Sequence, residues 1–177
     1  MIRTSLAAAI MFLAACAAPY NLPADDRAAI AQRIDSFERA FVNGNMTEVI
    51  NVIPPRLIAA IAAEGGVSEK QLRREMAKLT REVSAKVEIV SFKMALDQAT
   101  FLTTPSGRPY GLIPTQTVVQ VPGAQKLQSD NNTLALEEAG TWYLIRIDEG
   151  RQFELMREAY PEFQGVKFPQ GTTKVIG

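Results

Sequence analysis

Apolar side chains recur at helical spacing through the first half of the chain, between short polar breaks. The first helix is predicted to begin near Asp25 or Asp26, because carboxylates favour a helix N-terminus through capping and the helix dipole. It is predicted to end at Asn43 and Gly44. Its apolar face recurs at steps of four, three and four residues, at Ile30, Ile34, Phe37 and Phe41. We interpret this stripe as core packing.

The same spacing predicts further helices before the chain changes character. A short helix is predicted over residues 46–53, and Pro55 opens the next one, at a position where a missing N–H costs little. The two glycines at 65–66 end that helix. The following helix begins at Ser68, which has capping-box spacing with Gln71. Its apolar stripe comprises Leu72, Met76, Leu79 and Val83.

From Val87 onward the hydrophobic pattern alternates, which is typical of strands. Strands are predicted over residues 86–97, 99–104, 110–121, 131–138 and 141–148. One face of the first strand carries Val90, Phe92, Met94 and Leu96. Pro114 predicts a bulge or an edge position, because proline cannot donate to the ladder. An amphipathic C-terminal segment follows over residues 150–163.

Helices that precede strands along the chain favour the α+β class. We therefore predict one domain over residues 24–177, a length that suits a single hydrophobic core. The N-terminal helices are expected to pack on one face of a curved antiparallel sheet, with a short helix after the last strand.

The first residues have the three parts of an export signal. Arg3 forms a short basic region, and residues 6–15 form an apolar run of about ten residues. A membrane-spanning helix needs roughly 20 residues, so this run predicts a signal segment and not a span.

The stretch "LAAC", which ends at Cys16, resembles the lipobox of bacterial lipoproteins. That resemblance implies a signal peptide over residues 1–15, a diacylglyceryl group on the Cys16 thiol and a tether over residues 16–23. Two or more acyl chains anchor a protein stably. Because Ala17 and not aspartate follows the cysteine, the resemblance implies the outer membrane, facing the periplasm. A plain secretory signal with an incidental cysteine is the alternative.

Composition excludes several kinds of chemistry. The chain has no histidine and one cysteine, which argues against histidine-containing metal sites, imidazole-based triads and thiol catalysis. We therefore expect no metal and no cofactor, and acid–base chemistry would have to use carboxylates, lysine or tyrosine. Basic and acidic residues number 19 each, without a basic cluster, so we expect no nucleic-acid partner. Neither "GxxxxGK" nor "GxGxxG" occurs.

Several stretches, and the order of helices and strands in which they occur, resemble the nuclear transport factor 2-like superfamily, which includes ketosteroid isomerases and SnoaL-like proteins. "FERAFVNGNMTEVINVIPPRL" is similar to the opening helices of that superfamily, and "GTWYLIRID" to its closing strand. "YGLIPTQTVV" and "FELMREAYPEF" are similar to parts of exported bacterial members. The resemblance implies a cone-shaped roll, in which helices cross a bent sheet and leave a conical pocket.

Two functions follow from that resemblance. The first is a non-catalytic envelope lipoprotein that binds a partner protein or a small apolar ligand, with Trp142, Tyr143 and Arg146 as ligand-binding candidates. The second is a carboxylate-dependent isomerase or lyase. Its catalytic candidates come from their positions in the predicted strands: Asp97 ends the first strand and Tyr110 begins the third, and the alternative for Asp97 is a turn carboxylate in contact with water. An enzyme of that kind needs a buried, inward-facing carboxylate near a tyrosine hydroxyl. A homodimer through the sheet face is a further prediction.

Overall fold

The computed structural model describes residues 17–147 and 150–176. The predicted signal segment 1–15 and the predicted lipid attachment site Cys16 therefore lie outside the described residues. The described chain is α+β, with five α-helices and a seven-stranded antiparallel sheet, as the order of helical and alternating patterns predicts.

The secondary structure elements follow the order of the sequence patterns. The helices are α1 (Ala24–Val42), α2 (Met46–Ile50), α3 (Pro55–Glu64), α4 (Glu69–Ser84) and α5 (Gly150–Ala159). The strands are β1 (Ala18–Pro19), β2 (Glu88–Met94), β3 (Thr100–Thr103), β4 (Pro109–Gln120), β5 (Lys126–Glu138), β6 (Thr141–Ile147) and β7 (Thr172–Ile176). Short 3-10 turns occupy Leu96–Gln98 and Pro161–Phe163.

Local chemistry sets the helix starts. The Ser68 hydroxyl caps α4 by accepting a hydrogen bond from the Gln71 N–H at 3.2 Å, as predicted. Asn45 caps α2 in the same way through the N–H of Glu48, at 3.4 Å. Pro55 is the first residue of α3.

The long strands β4 and β5 form the centre of the sheet, and each changes its outer neighbour along its length. β4 pairs with β3 over residues 109–112 and with β2 over residues 115–120. β5 pairs with β7 over residues 126–130 and with β6 over residues 132–138. Pro114 lies between the two partners of β4, so its predicted edge-like position is confirmed on that side of the strand.

A bulge interrupts β2. The register shifts between Ile89 and Ser91, and the side chain of Val90 between them is 44% exposed. The prediction that Val90 shares one inward face with Phe92 and Met94 is therefore wrong, because the extra residue of a bulge breaks the alternation.

Both faces of the sheet are buried where β4, β5 and β6 meet. The face toward α1 packs Ile113, Ala135, Trp142 and Leu144 against Ile30 and Ile34. The opposite face packs Tyr110, Leu134, Leu136, Ile145 and Ile147 against Phe153, Met156, Tyr160 and Phe163. The N-terminal helix α1 packs on the first face, and α5 with the residues after it buries the second face, which the sequence patterns do not predict.

Part of the predicted tether 16–23 lies along the sheet. Ala18 and Pro19 pair with Thr103 and Leu102, and the N–H of Tyr20 donates to the Phe101 carbonyl at 2.9 Å. The chain is therefore held to β3 from Ala18 onward.

Candidate functional site

A cavity of about 370 Å³ lies between α1, α2 and α4 on one side and the sheet on the other. Its apolar lining includes Phe37, Phe41, Val49, Ile50, Phe92 and Met94. Its polar lining includes Thr115, Thr117, Asn131, Thr133 and Arg146. A concave, mostly apolar site with a few polar groups is the usual form of a small-molecule pocket.

Strand register explains why these side chains face the cavity together. Directly opposed residues of neighbouring strands share a face of a sheet. Phe92 lies opposite Thr117, and Met94 lies opposite Thr115. Asn131 in turn lies opposite Thr115. The alternate positions of β2, β4 and β5 therefore form one wall.

Three phenylalanine rings in the cavity lining form one cluster. The ring centroids of Phe37 and Phe41 are 5.7 Å apart, and those of Phe92 lie 5.4 Å and 5.8 Å from the two. Such spacings are favourable for aromatic pairs. Phe37 and Phe41 are half-buried and pack against the buried core clusters, so the interpretation of the α1 stripe as core packing is confirmed, and these two rings also line the cavity.

The polar lining of the cavity includes a pair of hydroxyl groups and an unpaired amide. The Thr115 hydroxyl donates to the Ile113 carbonyl at 3.0 Å and lies 2.8 Å from the Thr133 hydroxyl, which must therefore donate to it. Asn131 is 6% exposed, and neither its Oδ1 nor its Nδ2 has a hydrogen-bond partner in the described structure. Buried polar groups are normally hydrogen-bonded, so this amide is exceptional.

A larger cleft of about 460 Å³ lies on the outer surface of α2 and α4. It is lined by exposed and charged residues that include Glu69, Lys70 and Arg74. A ligand there would stay in contact with water. We therefore take the cavity between the helices and the sheet, whose lining is mostly apolar, as the candidate site.

The catalytic candidates Asp97 and Tyr110 do not lie together in this cavity. Asp97 is exposed on the 3-10 turn Leu96–Gln98. Tyr110 is 1% exposed and lies on the opposite sheet face, where its ring centroid is 5.3 Å from that of Phe163. Burial raises the pKa of the Tyr110 hydroxyl.

The ligand-binding candidates Trp142, Tyr143 and Arg146 occupy three environments. Trp142 is buried, and its indole N–H donates to Asp26 at 3.1 Å. Tyr143 is half-buried, with the guanidinium of Arg33 at 5.3 Å from its ring centroid. Of the three, Arg146 lines the candidate cavity, where it lies opposite Thr133.

A carboxylate does contact a tyrosine hydroxyl elsewhere in the fold. The buried Tyr160 hydroxyl donates to Glu138, and the guanidinium carbons of Arg56 and Arg108 each lie 5.0 Å from the Tyr160 ring centroid. Burial, reinforced by the Glu138 hydrogen bond, raises the pKa of Tyr160. Arg108 also pairs with Glu162. None of these residues lines the candidate cavity.

The sequence interpretation missed the polar wall of the cavity. Thr115, Thr117, Asn131 and Thr133 were assigned to strands without a role. The available signal is their spacing: Thr115 and Thr117, like Asn131 and Thr133, are two residues apart, so each pair lies on one face of its strand. The sequence does not show that this face meets the helices. The strand register and the helix residues in the same cavity lining show it.

The polar groups that line the cavity are hydroxyls, one amide and one guanidinium. Among the described residues that line it, none is Asp, Glu, Tyr, Cys or His. Over residues 17–147 and 150–176, no group of three or more His, Cys, Asp or Glu side chains could hold a metal ion. In the same ranges no helix has the length and apolar character needed to cross a bilayer.

Comparisons with protein-family models, curated proteins and solved structures found no match to this chain.

Proposed function

We propose that this protein is a non-catalytic, lipid-anchored lipoprotein of the bacterial cell envelope that binds a small amphipathic ligand in its cavity. The observation that carries the proposal is the cavity of about 370 Å³ between the helices and the sheet, whose lining combines phenylalanine rings with hydroxyl and amide groups. A ligand with an apolar body and a polar end matches that combination.

The absence of a carboxylate among the described lining residues favours binding over the isomerase or lyase alternative. A carboxylate base must reach the proton that it abstracts, within about 3 Å or through one water. Asp97 is exposed, and the Glu138–Tyr160 pair lies outside the cavity lining. Neither carboxylate meets that requirement for a ligand bound in the cavity.

We also propose that the domain is a roll of the nuclear transport factor 2-like type. Two long central strands that change partners along their length, and a cavity between them and the N-terminal helices, support this architecture. The homodimer through the sheet face stays a prediction. Because α5 covers the second face of the sheet at β4–β6, we place the proposed dimer contact on the uncovered part of that face, near Gln116, Gln128 and Asp130.

The anchor is proposed from the lipobox resemblance at Cys16. Ala18 pairs with Thr103, so one residue, Ala17, separates the proposed lipid-bearing cysteine from β1. A chain extends at most ~3.6 Å per residue, so the lipid-bearing residue would lie within about 7 Å of Ala18. The domain would therefore lie close to the membrane surface.

Filling the cavity is expected to abolish binding. N-phenyl-1-naphthylamine is a neutral apolar probe whose fluorescence rises in apolar surroundings. We expect the full chain to bind it, and Thr117→Phe to weaken binding by at least about 10-fold, because the larger side chain occupies the space. Fluorescence titration measures the effect.

The matched control is Thr117→Val, which removes the hydroxyl but keeps the side-chain volume. We expect it to bind the probe within about 3-fold of the original chain. Equal binding by the Phe and Val variants, both folded, would place the probe elsewhere and contradict the proposed site.

Acylation at Cys16 is expected in a bacterial host grown with radiolabelled palmitate. The chain should carry the label and Cys16→Ser should not, because the sequence has no second cysteine. Gel electrophoresis with autoradiography makes the comparison. An unlabelled original chain that has lost its signal would support the plain secretory alternative.

A further inference from the structure

We infer that the ligand of this cavity carries a hydrogen-bond donor and an acceptor side by side, as a carboxamide does, and that Asn131 binds this group. The inference rests on the proposed binding function and names the chemical class of the ligand. It starts from one juxtaposition: a buried amide without partners lines the same cavity as three phenylalanine rings.

The position of Asn131 isolates its side chain from the rest of the sheet. Along β5, Asp130 makes the last pair with β7, and Asn132 makes the first pair with β6. Asn131 lies between these two pairings and is directly opposite Thr115 of β4. Its side chain is therefore held at a junction of strands and lines the cavity.

The neighbouring hydroxyl groups are already engaged. Thr115 donates to the Ile113 carbonyl, and Thr133 donates to Thr115. Each hydroxyl has one proton to give, so neither can donate to Oδ1 of Asn131. A buried amide left unpaired is costly, and natural proteins rarely leave one without a functional reason.

The pairing needs of Asn131 select among polar groups. Its side chain presents an acceptor oxygen and an NH₂ donor next to each other. An ionised carboxylate or an ester offers acceptors only, and would leave Oδ1 unpaired. A carboxamide returns both a donor and an acceptor, so it can satisfy the two atoms at once.

The cavity also limits the rest of the ligand. Its volume of about 370 Å³ equals that of about a dozen water molecules, at ~30 Å³ each, and covalently bonded atoms pack more closely than waters do. The rings of Phe37, Phe41 and Phe92 in the lining suit an unbranched or aromatic apolar body. Decanamide, with a dozen non-hydrogen atoms, meets both limits.

The test compares three probes of nearly equal length: decanamide, methyl decanoate and sodium decanoate. Each displaces N-phenyl-1-naphthylamine from the full chain in a competition titration. We expect decanamide to bind at least about 10-fold more tightly than either acceptor-only probe. In Asn131→Leu, which keeps the side-chain size and removes both polar atoms, the preference should fall to within about 2-fold.

The matched control is Asn132→Leu, the same change at the adjacent position on β5, which does not line the cavity. This variant should keep the preference for decanamide. Thermal unfolding of both variants checks that they are folded, and Asn131→Leu should unfold no earlier than the original chain, because it removes a buried unpaired group.

The results separate two claims: that Asn131 selects a carboxamide, and that the cavity binds a small ligand at all. Equal binding of the three probes, or a preference that survives in Asn131→Leu, overturns this inference and leaves the cavity-binding function intact. Failure of all three to displace a bound N-phenyl-1-naphthylamine also overturns the inference alone. If that dye does not bind at all, the proposed function fails, and this inference fails with it.

Discussion

Phe163→Ala is expected to lower the free energy of unfolding by about 3–5 kcal/mol, the largest effect of any single substitution considered in this protein. Phe163 is fully buried. Its ring centroid lies 5.3 Å from that of Tyr110, 6.4 Å from that of Tyr160 and 5.9 Å from that of Phe168. Truncation removes the centre of this cluster and leaves a cavity that the rigid sheet cannot close.

Urea unfolding followed by the fluorescence of Trp142, the only tryptophan in the sequence, measures this change. Phe41→Ala is the control, because Phe41 is half-buried and already borders empty space. Its cost should be less than half that of Phe163→Ala. A loss below about 1 kcal/mol for Phe163→Ala would show that the C-terminal segment is not part of the core.

Stability is expected to fall steeply above pH 10. The pKa of Tyr160 is raised by burial and by its hydrogen bond to Glu138, and burial raises the pKa of Tyr110. The unfolded chain has tyrosines with a pKa of about 10, so above this pH the unfolded state releases protons that the folded state retains. Each tyrosine therefore removes up to about 1.4 kcal/mol of stability per pH unit, and below pH 9 neither contributes a slope.

The double variant Tyr110→Phe/Tyr160→Phe isolates this effect, because it removes the two buried hydroxyl groups and leaves every other side chain unchanged. Urea midpoints between pH 8 and pH 11.5 should decline less steeply in the variant than in the original chain. Parallel declines would mean that the two hydroxyl groups ionise in the folded protein as freely as in water.

The sequence patterns predict the class of the fold well because each element carries its own signal. Ser68 and Pro55 mark helix starts through local hydrogen bonding and fixed backbone geometry, and such effects act within a few residues. The alternation in β4, β5 and β6 predicts strands for the same reason.

The burial of the second sheet face was not predictable from these signals. An alternating strand with Leu134, Leu136, Ile145 and Ile147 on one side has the same pattern whether a helix, a second chain or another sheet covers that side. The covering segment, α5 and the residues up to Phe168, follows the sheet in the chain, and its packing depends on long-range contacts. The bulge at Val90 is equally a product of pairing with β4.

The candidate site was the least predictable part. Sequence interpretation chose aromatic and charged residues, and of those Arg146 lines the cavity. The defining residue, Asn131, is unremarkable as a sequence letter. Its significance comes from burial without a partner, which depends on the register of three strands and on where β5 exchanges β6 for β7.

A crystal structure of the full chain grown with decanamide tests the central claim most directly, since that claim is that the space between the helices and the sheet receives a small amphipathic molecule. The expected result is continuous density in this space, with the amide within about 3.2 Å of the Asn131 side chain and the alkyl chain against Phe37, Phe41 and Phe92. Side chains of the protein packed into that space, with decanamide bound elsewhere or not at all, would contradict the account.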